Sequence, residues 1–233
     1  MFSDLFANED VVEAIAIVKS EFALAFWETL YVTVLSTAIA IVIGLPLGVI
    51  LSCGGKGGIL NIPAPVVKVI DFIVNILRSI PFLILMIMVI PLTRAIVGTS
   101  VGTVASIVPL VIASFPFIAR LAEPSLSEVN PDIIEAAQSM GATPMQIVCK
   151  VMVPESIPSL LSNATTAITT ILSYTAMSGI IGGGGLGKIA INYGYYRYKT
   201  LVMILAVILL IIMVQVFQSV GGRWAKKSDK RLL

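Results

Sequence analysis

An all-α, polytopic membrane protein is the fold class this sequence predicts, and three observations predict it. Hydrophobic residues make up 58% of the 233 and charged residues only 12%, against about 45–50% apolar and about 25% charged in soluble domains. The mean hydropathy is +1.02. The charges also cluster, leaving uncharged stretches over Thr29–Gly55, Ser79–Thr93, Ala95–Ala119, Ser156–Gly187 and Thr200–Gly222. Four of these reach the roughly 20 residues that a membrane-spanning helix needs. The remaining one, 15 residues long, is short. Its helix is therefore predicted to begin near Val69, with Asp71, Asn75 and Arg78 as a polar stripe on its first turns. Five spanning helices result, because lipid offers the backbone polar groups no other partners.

The chain opens with an acidic segment, residues 1–28, carrying Asp4, Glu9, Asp10, Glu13 and Glu21. It lacks the basic start and small-residue cleavage site of a signal peptide. Residues 9–26 read as a short interfacial helix leading into the first span. Orientation follows from the basic residues. With the N-terminus outside, the inner segments hold Lys56, Lys68, Arg78, Arg120, Lys150, Arg223, Lys226, Lys227, Lys230 and Arg231, and the outer ones hold only Lys19, Arg94, Lys188, Arg197 and Lys199. Positive charge inside thus favours N-out, C-in. The transmembrane domain is 29–222, and 223–233 is a basic cytoplasmic tail anchored against anionic lipid. Cys53 and Cys149 then both face a reducing compartment, where no disulfide is expected. With no histidine in the chain, no His-ligated metal or histidine proton relay is available.

The longest inner loop, 121–155, is punctuated legibly. Asn130 is a good N-cap, Pro131 suits the first helical position, and Asp132 and Glu135 sit where the helix dipole favours negative charge. Gly141 is placed to end this helix in the left-handed conformation. Thr143 and Pro144 repeat the start signal for a second helix, predicted to stop near Val153, before Pro154. The first helix presents Ile133, Ile134, Ala136, Ala137 and Met140 with little charge. Such a face either packs on the membrane domain or is a knob that seats in a partner's groove.

The fourth span carries Ser162, Thr166, Thr169, Ser173 and Met177 at steps of four, three, four and four, one helical face. Small hydroxylated residues allow close helix packing. The same face is equally suited to line a polar, uncharged route, with Met177 as an apolar plug near the outer mouth. The span ends in "IIGGGGLGKIAI", where Gly182 to Lys188 reads G-x-x-x-x-G-K. A phosphate-binding loop needs Ser or Thr next, to hold Mg²⁺, and position 189 is Ile. Gly182, Gly183, Gly184 and Gly185 read instead as a flexible hinge at the outer end of a gating helix.

The stretch "EAAQSMGATPMQIVCKVMVP" resembles the EAA loop of the membrane permease subunits of ABC importers, in Glu135, Ala136, Ala137, Gly141 and Pro154. Together with "NILRSIPFLIL", "RAIVGTSVG", "PFIARLAE", "GATPMQIV" and "GGGGLGKI", the chain is similar to the permeases of methionine uptake transporters over nearly its whole membrane region. It departs from the family's usual Leu-Pro motif end with Val153-Pro154, and the acidic N-terminal segment lies outside the resemblance.

The resemblance implies a type I importer permease in a bacterial inner membrane. Glu135, Ala136, Ala137 and Gly141 would then contact an ATP-hydrolysing partner through a coupling helix. It further implies a permease homodimer, two ATPase subunits that bind the ATP and Mg²⁺, and an extracytoplasmic methionine-binding lipoprotein. This chain itself is expected to hold no cofactor or metal, to catalyse nothing and to bind no nucleic acid. The implied cargo is L- or D-methionine or a derivative, with another small amino acid or small solute as the alternative. An ion-driven carrier would need ionisable residues at mid-membrane, and only Asp71 and Arg78 are candidates. A non-transporting scaffold would explain the loop but not the hydroxyl stripe.

Overall fold

The computed structural model describes residues 8–55 and 57–229. Asp4, Lys56, Lys230 and Arg231 of the topology argument lie outside these residues. Among the described residues the regular structure is helical throughout. Helix α1 (Asn8–Ile17) runs through a π-helical turn at Val18–Phe22 into α2 (Ala23–Cys53). The segment read as an interfacial helix is thus continuous with the first span. No Gly or Pro interrupts residues 8–43, so the chain widens by one turn instead of stopping.

The second span differs more. Helix α3 begins at Ala64, not near Val69, and ends at Ser79 (Ala64–Ser79), and α4 (Phe82–Met88) follows after a break. Ile80 is extended at φ −82° and ψ 126°, because Pro81 disfavours helical backbone in the residue before it. Next come α5 (Ile90–Val97), closed by Gly98 at φ +83°, and α6 (Thr103–Ser127). Helix α6 lies later than the uncharged stretch Ala95–Ala119, since its last two turns hold Arg120 and Glu123. The inner loop follows as α7 (Pro131–Ser139), α8 (Pro144–Ile147) and α9 (Val153–Glu155). The chain ends with α10 (Ile157–Ser178), α11 (Gly185–Ile189) and α12 (Thr200–Ser228). Val11–Cys53, α6, Ile157–Ile181 and α12 are long and apolar enough to cross a membrane, and α3 with α4 gives a fifth, broken span.

The residues form two compact units, and α2, α6, α10 and α12 contribute to both. The first comprises the described residues up to Thr37, Phe82–Val111 and Ile168–Phe217. Its core joins Ala14, Ile17 and Phe22 to Leu186, Val202 and Ala206, so the N-terminal helix is packed into the fold. The second comprises Ala38–Pro81, Ile112–Ala167 and the residues from Gln218. There α2 meets α6 closely: a Cβ on Gly44 would lie 2.6 Å from the Phe115 carbonyl, and one on Gly48 2.7 Å from Ala122 Cβ. Small residues bring membrane helices together in this way.

Candidate functional site

The inner loop is built from its caps. Asn130 Oδ1 accepts the Asp132 N–H at 3.0 Å, and Gly141, at φ +79°, closes α7 in the region that glycine enters without strain. Thr143 and Gln146 form a reciprocal capping box at the start of α8. The second helix does not stop at Val153, however. Val148–Met152 form a π-helical turn whose closing bond runs from the Val153 N–H to the Val148 carbonyl, and the helix passes through Pro154 to Glu155. A π turn shifts the hydrogen-bond ladder by one residue, so the N–H that Pro154 lacks goes unmissed.

The apolar residues of α7 divide between the two readings. Ala137 is buried with Leu126, Val129 and Ile147, and Ile134 packs on the same cluster. Both are turned inward, which corrects their assignment to a partner-facing surface. Ile133 and Met140 face out, Met140 at 82% exposure, with Ala136 and Glu135 exposed beside them. Met145 of α8 extends the same apolar surface. A short helix is thus held rigidly from beneath while presenting a small, greasy, weakly acidic knob.

At the other functional stretch, the glycines sit in a pinned crossing. The Glu28 carboxylate accepts the Gly185 N–H at 2.7 Å through Oε2 and the Thr103 hydroxyl at 2.9 Å through Oε1. Thr29 Oγ1 accepts the Leu186 N–H at 2.9 Å. A Cβ on Gly183 would lie 2.5 Å from Ser178 Oγ, and the Gly182 carbonyl accepts the Gly102 N–H at 2.9 Å. Of the four glycines that the sequence reads as a flexible hinge, Gly183 and Gly184 sit in close approach, and Gly182 and Gly185 hold left-handed φ of +87° and +83°. The two N–H groups that a phosphate would need are already held by Glu28 and Thr29.

On α10, Ser162, Thr166, Ser173 and Met177 are exposed and Thr169 partly so, whereas Ala167, Ile171 and Thr175 are buried. The stripe therefore faces away from the chain's own packing. Met177 and Ser173 border an apolar groove of about 540 Å³ shared with Val207 and Ile211 of α12.

Two clusters escaped the sequence reading. Arg120 donates to Asp71 at 2.6 Å, to Asn75 at 2.8 Å and to Glu123 at 2.5 Å. The i, i+4 spacing of Asp71 and Asn75 was a signal for such a fork, but nothing in the sequence names the arginine. The acidic N-terminal helix is tied down as well. Glu13 pairs with Lys199 at 2.6 Å, and the Tyr193 phenol donates to Glu21 at 2.5 Å. That hydrogen bond, with some burial and the Glu21 charge, pushes the phenol above its ordinary pKa.

Residues 44–227 match the family of binding-protein-dependent transport system inner membrane components. The chain belongs to this family. As a transport-system membrane component it resembles a probable D-methionine transport system permease protein of Vibrio cholerae, at 48% identity over 89% of this chain and 92% of that one. The D-methionine transport system permease protein of Escherichia coli is 50% identical over 66% of this chain and 70% of its own length. Among solved structures, an inward-facing methionine ABC transporter chain superposes with a TM-score of 0.87 at 45% identity, covering 89% of this chain and 96% of that one. An amino acid ABC transporter chain, 19% identical with a TM-score of 0.73, shares the fold. Like the family, this chain is a multi-pass component of a bacterial inner membrane.

Proposed function

We propose that the chain forms the translocation pathway of an ATP-driven importer for methionine, as one of two identical permease subunits. Two ATPase subunits bind and hydrolyse the ATP with Mg²⁺, and an extracytoplasmic binding protein delivers the amino acid. The observation that carries the coupling half of this reading is α7. A helix capped at both ends, buried on one side through Ile134 and Ala137, and exposing Ile133, Ala136 and Met140 on the other transmits force as a rigid lever. The N-out, C-in topology puts this lever on the cytoplasmic side, where ATP is.

The cargo is assigned from relatives named as D-methionine permeases at 48% and 50% identity, and the α10 stripe suits it. Hydroxyls of Ser162, Thr166, Thr169 and Ser173 give a zwitterion hydrogen-bonding partners without fixed charge to trap it, and Met177 closes the outer end on the twofold axis. A polar group crossing lipid needs such partners.

The test is uptake of labelled methionine by cells co-expressing the chain with its ATPase and binding protein. Import that unlabelled D- and L-methionine suppress, and that vanishes without the ATPase, is the expected result. Import of another small amino acid in preference would move the substrate assignment. Import indifferent to the ATPase would remove the reading.

A further inference from the structure

The groove of about 540 Å³ that Ser173 and Met177 border holds one residue that the packing of the chain does not explain. It is Gln215 of α12, which lines the groove with Val207 and Ile211, opposite Ser173, Met177 and Ile180 of α10. Gln215 is exposed and makes no hydrogen bond among the described residues. It stands seven residues before Gly222, where the uncharged stretch of α12 ends, about 10 Å along the helix. Its carboxamide therefore lies at the depth of the hydrocarbon. Against lipid tails such a group has no partner and is costly, so a groove filled by an acyl chain leaves Gln215 without a reason.

The direction of the helices brings the polar groups of the groove to one end. In the N-out, C-in topology α10 runs outward and α12 inward, so Ser173 and Gln215 lie at the inner end and Met177, Ile180 and Val207 at the outer. Ser173 donates to the Thr169 carbonyl at 3.2 Å, which leaves its oxygen able to accept. The Gln215 carboxamide both donates and accepts, so it serves a carboxylate or an ammonium without a charge that would hold either fast. The remaining walls are apolar, and the size falls among ligand pockets, about 300–1,000 Å³. A zwitterionic head with an extended apolar tail matches this division.

We propose that this groove is a binding site for an α-amino acid with an unbranched apolar side chain, its head group at Gln215 and Ser173 and its side chain laid outward along Met177, Val207 and Ile211. Gln215 hydrogen-bonds the head group, and the apolar walls accept a thioether as readily as a methylene chain. Ser173 and Met177 belong to both the stripe and the groove, so the groove opens onto the route assigned to that stripe and selects side chains by length. A specificity-determining residue thus stands on α12, outside the stripe. The inference rests on the amino-acid import reading for the identity of the ligand.

The test uses the full chain with its ATPase in lipid nanodiscs, without the binding protein, and a diazirine-bearing analogue of methionine as photolabel, mapped on this chain by mass spectrometry. Saturable labelling of the α10 and α12 residues of the groove is expected, displaced by L-methionine and norleucine, weakly by the shorter α-aminobutyrate, and not by oleate. Gln215→Leu should raise the concentrations of methionine and norleucine needed for displacement about tenfold alike, the worth of a hydrogen bond to a charged group. Val207→Phe, which fills the apolar end, should weaken methionine and norleucine while sparing α-aminobutyrate. A merely unstable protein cannot split head group from side chain in this way. Labelling elsewhere, indifference to both substitutions, or displacement by oleate and not by methionine overturns the site. So does self-crosslinking of Gln215→Cys with no labelling, which would show that a second copy of the chain seals the groove. Import of methionine by the wild-type complex without labelling of the groove defeats this site and leaves the import reading standing; labelling without import does the reverse.

Discussion

Glu28 holds the N–H of Gly185 at 2.7 Å across 157 residues of chain. The same carboxylate takes the Thr103 hydroxyl at 2.9 Å, so one side chain of the first long helix fixes both the start of α6 and the glycine crossing after α10. Replacing it by Ala strands two donors, each costing about 1–3 kcal/mol where water cannot reach. Glu28→Ala should therefore lower the thermal unfolding midpoint in detergent by several degrees. Glu28→Gln, which keeps an acceptor, should lose roughly half as much. Equal midpoints for Ala and wild type would mean that the crossing is held elsewhere.

The lever reading of α7 makes Gly141 its critical joint. At φ +79° a β-branched residue is strained, while Asn visits this region far more readily. Gly141→Val should cut methionine uptake at least tenfold at unchanged membrane expression, and Gly141→Asn should retain most of it. Open space surrounds a Cβ here, so a loss in Val alone reports backbone angle and not a clash. Full uptake by Gly141→Val would separate this loop from coupling.

Tyr193 supplies a pH dependence. Its hydrogen bond to Glu21 raises the phenol above its ordinary value. A group with a raised folded-state pKa contributes stability that is complete below its unfolded pKa, about 10 for tyrosine, and lost as pH rises through the folded value. The stability advantage of wild type over Tyr193→Phe should be flat from neutral pH to about pH 9 and then shrink at more alkaline pH. A gap that grows with alkalinity would reverse the sign of this argument.

Met177 lies on the exposed face of α10 and Thr175 on its buried face, which makes a paired test of the axis. In a twofold dimer a residue near the axis meets its own copy. With Cys53→Ala and Cys149→Ser as background, Met177→Cys should form a self-disulfide under mild oxidation and Thr175→Cys should not. Such a bond needs paired Cα atoms within about 7 Å. ATP with loaded binding protein should suppress it, because outward opening separates the helices. Crosslinking at Thr175 alone would move the pathway off this face.

Much of this architecture was legible because it is written in local chemistry. The caps at Asn130 and Thr143, the left-handed Gly141 and the amphipathic face of α10 all follow from residues within a few positions of one another. The break missed at Pro81 and the stop wrongly expected before Pro154 show the limit of proline as a signal. At Ile80 the pre-proline restriction wins, whereas at Pro154 a π turn absorbs the missing donor. The charge-free stretches misplaced α6 because Arg120, far from marking a helix end, lies within the helix, satisfied by Asp71, Asn75 and Glu123. Glu28 with Gly185 and Arg120 with Asp71 were out of reach, since each joins residues far apart in the chain and neither spacing announces its partner. The division of α7 into an inward pair, Ile134 and Ala137, and an outward trio, Ile133, Ala136 and Met140, needed the neighbouring elements to be in place.

The source of energy tests the account most directly. The chain, its ATPase and its binding protein are reconstituted in proteoliposomes oriented with the coupling loop facing the enclosed ATP, and accumulation of labelled methionine is measured with ATP or with an imposed ion gradient. The account predicts accumulation with ATP, none with a gradient alone, and none with ATP when the ATPase is omitted. Accumulation driven by an ion gradient in liposomes that hold only this chain would contradict it.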